Sequence, residues 1–153
     1  MPEEIPLTFE ELQEKAGKEE VVETLEIEKS MIRNFAAAIG DTNPLYNDEE
    51  YAKGKGYSSI IAPPGFFTAA VMSSAFTRLR PQMPLGRGVD AGGEWDVLLP
   101  VAAGDTLTNT FKFVDVTQEQ GSKGMKTFVK FETTHVNQRG ELVAKSRSQL
   151  MKF

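Results

Sequence analysis

The sequence contains no cysteine. This absence excludes disulfide bonds, thiolate nucleophiles, cysteine-ligated zinc and iron–sulfur clusters within the chain. It is typical of a protein of the reducing cytosol, so we expect a cytoplasmic location. Histidine is also scarce, since His135 is the only one among the 153 residues. Mechanisms that need two imidazoles from one chain are therefore excluded, and neither a metal site nor a resident cofactor is expected.

Long apolar runs and an excess of positive charge are lacking too. The longest apolar stretches fall short of the ~18 residues needed to cross a bilayer, so no membrane span is expected. The acidic start "MPEEIPLTFEELQEK" has neither the basic region nor the apolar region of a signal peptide. A net charge of −5 and a pI of about 5.0 argue against a nucleic-acid partner, which requires a basic surface.

Helical patterns occupy the first half of the chain. Within residues 30–40, apolar residues recur at i, i+3, i+4 and i+7, which predicts an amphipathic helix with Ser30 as its N-cap. A short second helix is predicted to begin at the N-cap Asn47, with Glu50 as the capping-box partner. The stretch of about 65–79 is apolar on nearly all sides, so we expect one long buried helix there.

The hydrophobic period changes to two from residue 89 onward. Four strand patterns follow, separated by turn sequences such as "AAGD" and "NQRG", and a further strand is predicted at 21–27. An antiparallel sheet of about five strands wrapped around one apolar helix buries both elements economically. The sequence therefore predicts an α+β fold and a single domain over 1–153.

One segment carries a recognisable family pattern. The stretch "FAAAIGDTNPLYNDEEYAKGKGYSSIIAPPGF" resembles the signature of the MaoC-like, R-specific enoyl-thioester hydratase/dehydratase family, and in particular its N-terminal-type dehydratase domain. The later "PVAAGDTLT" and "VNQRGELVAKSRSQL" also match the strand pattern of the family. The resemblance implies a hot-dog fold, usually paired so that two sheets join. It also implies thioester substrates carried on CoA or acyl carrier protein, without another cofactor.

The resemblance implies a set of site residues. In catalytic members, the Asp and His of a Gly-Asp-x-Asn-Pro-x-His motif activate water, and a backbone amide at the start of the central helix meets the thioester oxygen. Asp41 and Asn43 match this motif and are the candidate catalytic residues. Gly65, preceded by Pro64, falls on the helix start and is a candidate for substrate binding. The family histidine is replaced by Tyr46.

This replacement changes the expected chemistry. Hydration of a double bond conjugated to a thioester needs a base for water, an acid for the α-carbon and a dipole for the enolate-like charge. Imidazole, with a pKa near 6.5, transfers protons at neutral pH, whereas a phenol near 10 is a poor base that can still donate a hydrogen bond. Tyr46 beside Asp41 therefore predicts an impaired site that retains substrate contacts.

Other residues have plainer interpretations that remain open. Asp41 and Asn43 also suit an ordinary turn after a helix, and Gly65 suits close packing. His135 is expected to be a packed strand residue, and Trp95 a core or interface residue. The arginines near the proline-rich loop can meet CoA phosphates but are also typical of a solvated loop: Arg78, Arg80 and Arg87.

Three functions remain open from the sequence. The first is a non-catalytic or weakly catalytic subunit that pairs with a MaoC-like chain carrying the intact Asp/His motif. The second is a stand-alone homodimeric hydratase or dehydratase that uses Asp41 and Gly65, with Tyr46 as proton donor. The third is a module that binds acyl thioesters without turnover. Whether the chain is an enzyme by itself is thus left undecided, and the first function is preferred.

Overall fold

The computed structural model describes residues 6–68 and 87–153. Three α-helices lie within these ranges, and a 3-10 helix lies between the second and the third. They are α1 (Phe9–Lys15), α2 (Lys29–Ala38), the 3-10 helix (Pro44–Tyr46) and α3 (Glu49–Gly54). None of the described helices has the length and apolar character needed to cross a membrane.

Five described strands form one antiparallel sheet, which confirms the predicted α+β class and strand number. They are β1 (Glu19–Glu26), β2 (Gly88–Val97), β3 (Thr106–Gly121), β4 (Gly124–Asn137) and β5 (Leu142–Lys152). Their order across the sheet is β1-β3-β4-β5-β2. Strands β3, β4 and β5 are consecutive neighbours, whereas β2 pairs with β5 and forms the edge opposite β1.

The two faces of the sheet differ because side chains alternate along each strand. On β4, Val129, Phe131 and His135 point to the inner face and are buried. Glu132 points to the other face, where it forms an ion pair with Lys145 at 2.8 Å. The inner face therefore supplies the core, and the outer face carries the charged side chains.

Two core clusters on the inner face are formed by the described residues. The main core cluster is formed by Ile27, Ile32, Ile60, Ala62, Phe66, Phe67, Val101, Leu107, Val143 and Ala144. In the second, Leu12 of α1 packs with Phe111 and Phe131. A capping box at Thr8 and Glu11 fixes the start of α1, because each residue accepts a hydrogen bond from the other's backbone N–H.

The predicted helix over about 65–79 is described only at its start. Phe66 is buried in the main core cluster, and its N–H donates to the Pro63 carbonyl at 2.9 Å. The remainder of the predicted helix, which includes Arg78 and Arg80, lies outside the described residues.

Two predicted N-caps are wrong by one or two residues. Helix α2 follows Glu28, and the Ser30 hydroxyl donates to the Glu28 carboxylate at 3.1 Å instead of capping the helix. Helix α3 follows Asp48, whose Oδ1 accepts from the Tyr51 N–H at 3.0 Å, and not Asn47. The N-cap is the residue whose backbone is extended immediately before the helix. Residue type alone does not predict which of several neighbouring polar residues has that backbone conformation.

Candidate functional site

The motif loop, residues 40–48, begins where α2 ends. Gly40 has a φ of +70°, in the left-handed region that glycine adopts without steric cost. The N–H of Asp41 then donates to the Ala36 carbonyl at 2.9 Å, which closes the end of the helix. This reversal places Asp41 immediately beyond the C-terminus of α2.

Asp41 and Asn43 shape the loop through their own side chains. Asp41 Oδ1 accepts a hydrogen bond from the Asn43 N–H at 3.0 Å. Asn43 Oδ1 in turn accepts from the Leu45 N–H at 3.0 Å and caps the 3-10 helix. The turn interpretation of both residues is therefore confirmed. Their catalytic role stays a prediction, and one oxygen of Asp41 is already committed to the backbone.

Tyr46 lies against these two residues and is half-buried. Its ring packs on the main core cluster. Burial raises the pKa of the Tyr46 phenol and the charge of Asp41 raises it further, while a hydrogen bond with the Asn43 side chain acts in the opposite direction. The phenol is therefore protonated at neutral pH. It can donate a hydrogen bond there, but it cannot take a proton from water.

The segment before the predicted helix of about 65–79 is tied to the motif loop. The Ile61 N–H donates to the Leu45 carbonyl at 3.0 Å, and the Ala62 N–H donates to the Val101 carbonyl at 2.8 Å. These bonds fix the segment between the loop and the sheet. The loop residues and the helix start that the sequence singles out therefore belong to one connected region.

Gly65 supplies an available backbone donor at this helix start. Its N–H has no acceptor among residues 6–68 and 87–153. A Cβ added at Gly65 would lie 3.5 Å from Phe35 Cζ, an ordinary van der Waals contact, so packing does not require a glycine. Free N–H groups at a helix start attract carbonyl and anionic oxygens. The substrate-binding role of Gly65 and of the exposed Pro64 stays a prediction.

His135 lies apart from the motif loop. Its Nδ1 is 2.7 Å from Asn109 Oδ1, and its ring centroid is 5.3 Å from that of Phe67. Burial lowers the pKa of the His135 imidazole to about 4, so the ring is neutral at neutral pH. No described contact joins it to Asp41 or Tyr46. His135 is thus the packed strand residue that the sequence predicts.

His135 lies in a group of buried polar residues whose other members the sequence patterns did not single out. Asn109, Thr133, His135 and Ser146 lie buried on the inner face of the sheet, and we call them the inner-face patch. A signal was available in "TLTNTFKF", where asparagine occupies an inward position of the apolar alternation. Elsewhere, Trp95 is half-buried on β2 and Arg87 is exposed. The described residues hold no group of acidic or histidine side chains that could bind a metal ion.

Solved structures with this fold include hydratases and dehydratases. The R-hydratase PhaJ1 from Pseudomonas aeruginosa superposes with a TM-score of 0.75 at 24% identity, covering 97% of this chain and 85% of that one. The HadBC (3R-hydroxyacyl-ACP dehydratase) complex from Mycobacterium tuberculosis gives 0.74 at 25% identity, covering 90% and 96%. The fold is the hot-dog fold of the MaoC-like hydratases and dehydratases.

The family described as "FAS1-like, dehydratase domain region" matches residues 15–146, and the chain belongs to this family. A UPF0336 protein of Streptomyces avermitilis is 42% identical over 88 residues, which cover 56% of this chain and 59% of that protein. A UPF0336 protein of Parafrankia is 32% identical over 82% of this chain and 83% of its own length. A probable enoyl-CoA hydratase alpha subunit of Thermomonospora curvata is 27% identical over 80% of this chain but only 44% of its own.

Proposed function

We propose that this chain is the non-catalytic or weakly catalytic subunit of a hydratase/dehydratase that acts on enoyl and 3-hydroxyacyl thioesters. A MaoC-like chain with an intact Asp/His motif supplies the base, and this chain contributes to the acyl pocket. The acyl group is carried on CoA or acyl carrier protein, and no further cofactor takes part. The reducing cytosol is the compartment that fits a cysteine-free chain.

The missing base is the observation that carries this proposal. Tyr46 stands at the position of the family histidine, and both burial and Asp41 hold its pKa above the ordinary value. His135 is a weak base because burial lowers its pKa to about 4, and no described contact places it near the loop. If Asp41 acted as the base in this chain, neither Tyr46 nor His135 could assist it by exchanging protons at neutral pH.

Substrate binding has better support than proton transfer. The Gly65 N–H has no acceptor in the described part of the chain, and the loop beside it is held by its own hydrogen bonds. Such a donor can bind the thioester oxygen without any titratable group. A chain that binds the acyl group and leaves the proton transfers to another chain accounts for both features.

The exposed edge of the sheet favours a protein partner. Strand β2 is a ten-residue edge strand whose outer backbone groups are unpaired within the described sheet. Val89, Val97 and Leu98 are 42%, 39% and 54% exposed along this edge and just beyond it. Unpaired edges with apolar side chains are sites of strand addition. The HadBC structure is itself a complex, and the Thermomonospora relative is described as an alpha subunit.

Turnover of the chain alone and with a partner tests the proposal. Crotonyl-CoA and longer enoyl-CoAs are offered to the purified chain, to any MaoC-like protein encoded beside it, and to the co-purified pair. We expect turnover by the pair and little by this chain alone. Inactivating the motif of the partner should abolish the turnover, whereas Asp41→Ala in this chain should leave most of it. Robust turnover by this chain alone, lost in Asp41→Ala, would overturn the proposal.

The second candidate is a stand-alone homodimeric hydratase or dehydratase that uses Asp41 and Gly65. The protonated phenol of Tyr46 beside Asp41 favours it, since that phenol is a possible proton donor. In this case Tyr46→Phe should abolish the turnover of the isolated chain. If acyl-CoA stabilises the chain and no partner confers turnover, the third function, a binding module, is supported instead.

A further inference from the structure

The inner-face patch contains more buried polar atoms than the described chain satisfies. Asn109 is 0% exposed, and Thr133, His135 and Ser146 are each 1% exposed. Each of these side chains has a polar atom without a hydrogen-bond partner among the described residues: Asn109 Nδ2, Thr133 Oγ1, His135 Nε2 and Ser146 Oγ. The bond between Asn109 and His135 uses only the other polar atom of each side chain.

The strand register makes these four residues neighbours. Asn109 lies directly opposite His135 across the β3–β4 pair, and Thr133 lies opposite Ser146 across the β4–β5 pair. Thr133 and His135 are two residues apart on β4 and therefore share a face. Directly opposed side chains in an antiparallel pair have Cβ atoms about 5 Å apart. The patch is thus one contiguous group of polar side chains on the inner face.

Such a group is unfavourable in a protein that binds nothing there. An unsatisfied buried donor or acceptor lowers the free energy of unfolding by about 1–3 kcal/mol, whereas an apolar side chain of similar shape has no such desolvation penalty. Thr133 and Ser146 could be valine and alanine without a large change of volume. The presence of hydroxyls at these two positions indicates that a polar group from outside the patch completes their hydrogen bonds.

The patch lies close to the predicted thioester contact. The ring of Phe67 packs against His135 at 5.3 Å between centroids. Phe67 follows Gly65 by two residues, which corresponds to about 3 Å along a helix axis. One side-chain contact, that of Phe67 with His135, therefore joins the patch to the segment that carries the predicted thioester contact.

We propose that the inner-face patch is a subsite for a neutral oxygen group, a hydroxyl or a ketone, carried on the acyl chain of the substrate. This inference rests on the proposed function. A carboxylate fits less well. The neighbouring charged residues Glu132 and Lys145 point to the opposite face of the sheet and form an ion pair there, so they contribute no charge to the patch. The donors and acceptors that remain, two hydroxyls, an amide and a neutral imidazole, suit an uncharged group.

Binding of saturated acyl-CoAs tests the subsite without requiring turnover. The full chain, together with its partner where the two co-purify, is titrated with acyl-CoAs of equal chain length that end in a methyl, a hydroxyl, a ketone or a carboxylate. Short and medium chain lengths are compared by calorimetry. We expect the hydroxyl or ketone ligand of the matching length to bind about five- to tenfold more tightly than the methyl ligand. The carboxylate ligand should have no such advantage.

Two variants assign the preference to the patch. Thr133→Val and Ser146→Ala remove a hydroxyl with little change of volume, and both should abolish the preference while leaving binding of the methyl ligand intact. Each should also maintain or raise the Tm of the free protein, because an unpaired buried hydroxyl is lost. Thr127→Val on the same face of β4 is the matched control. Its hydroxyl accepts from Gln118 Nε2 at 3.1 Å, so the variant should lower the Tm and keep the preference.

The outcomes separate this inference from the proposed function. Equal binding of the methyl and oxygenated ligands would overturn the subsite and leave the acyl-thioester function standing. A lower Tm in Thr133→Val and Ser146→Ala, with the preference unchanged, would also overturn it, since the hydroxyls would then be satisfied within the chain. If no acyl-CoA binds to the chain or to its complex, the proposed function and the subsite both fail.

Discussion

The motif loop and the inner-face patch are both polar groups beside an apolar core, but they differ in how their hydrogen bonds are satisfied. In the loop, Asp41 Oδ1 and Asn43 Oδ1 each accept from a backbone N–H two residues on. In the patch, four polar atoms are buried without a partner in the described part of the chain. Satisfied polar groups maintain the shape of the chain, whereas the unsatisfied ones of the patch are the basis of the proposed subsite. The family motif thus marks the self-sufficient region, and the less conspicuous strand residues mark the incomplete one.

Loss of the single internal bond of the patch should have the largest effect on stability. Asn109→Ala removes the acceptor 2.7 Å from His135 Nδ1 and opens a cavity in the core. We expect the free energy of unfolding to fall by about 3 kcal/mol, measured by urea denaturation. Asn109→Asp keeps the volume and an acceptor at this site. If Asn109→Ala costs no more than a surface substitution, the pair does not stabilise the core.

Acid should destabilise the protein through His135 of the inner-face patch. The pKa of His135 in the folded chain is about 4, below the ordinary value of 6.5. The unfolded chain therefore binds more protons between these values, and stability falls as the pH falls through this window. We expect a loss of roughly 2 kcal/mol between about pH 7.5 and 5, where most carboxylates stay ionised.

His135→Gln is the control for this pH dependence, because the chain has no other histidine. Urea midpoints measured across the same pH range should become nearly flat in this variant. A slope that persists in His135→Gln would mean that another group titrates in the window.

Loss of a loop bond should cost less than loss of the patch bond. Asn43→Ala removes the cap that accepts from the Leu45 N–H, at an expected cost of about 1 kcal/mol in urea denaturation. The side chain is half-buried, so water can replace part of the lost bond. Asn43→Asp, which keeps the acceptor, should recover most of the loss. A cost equal to that of Asn109→Ala would remove the distinction between the two regions.

Restoring the family histidine should have the smallest effect. General acid–base catalysis contributes about 10²–10⁴-fold when base, substrate and water are all positioned. In Tyr46→His the Asp41 carboxylate still accepts from the Asn43 N–H, and the pocket around it is unchanged. We expect the hydration of crotonyl-CoA by the isolated chain to rise by less than about tenfold. A larger rise would show that the loop lacks only its base.

Much of the fold could be predicted from local patterns. The helical spacing over 30–40 and the alternation after residue 89 depend only on which side chains avoid water, and both are confirmed by α2 and by strands β2–β5. The predicted N-cap Asn47 was wrong because its neighbour Asp48 is equally suited and has the extended backbone. The predicted N-cap Ser30 was wrong because α2 already begins after Glu28, which forms no side-chain cap. The bulk of the helix over about 65–79 lies outside the described residues and stays a prediction.

The candidate site also has features that the sequence determines and features that only the tertiary structure decides. The identity of Tyr46, and with it the absence of a base at the family position, is a property of the sequence alone, since the intrinsic pKa of a phenol does not depend on the fold. The contact between Asn109 and His135 joins residues 26 positions apart, and only the register of β3 with β4 brings them together. Sequence determines which groups can form hydrogen bonds. Tertiary structure decides which of them remain unpaired, because burial removes water from all of them at once and leaves only the partners that the sheet supplies.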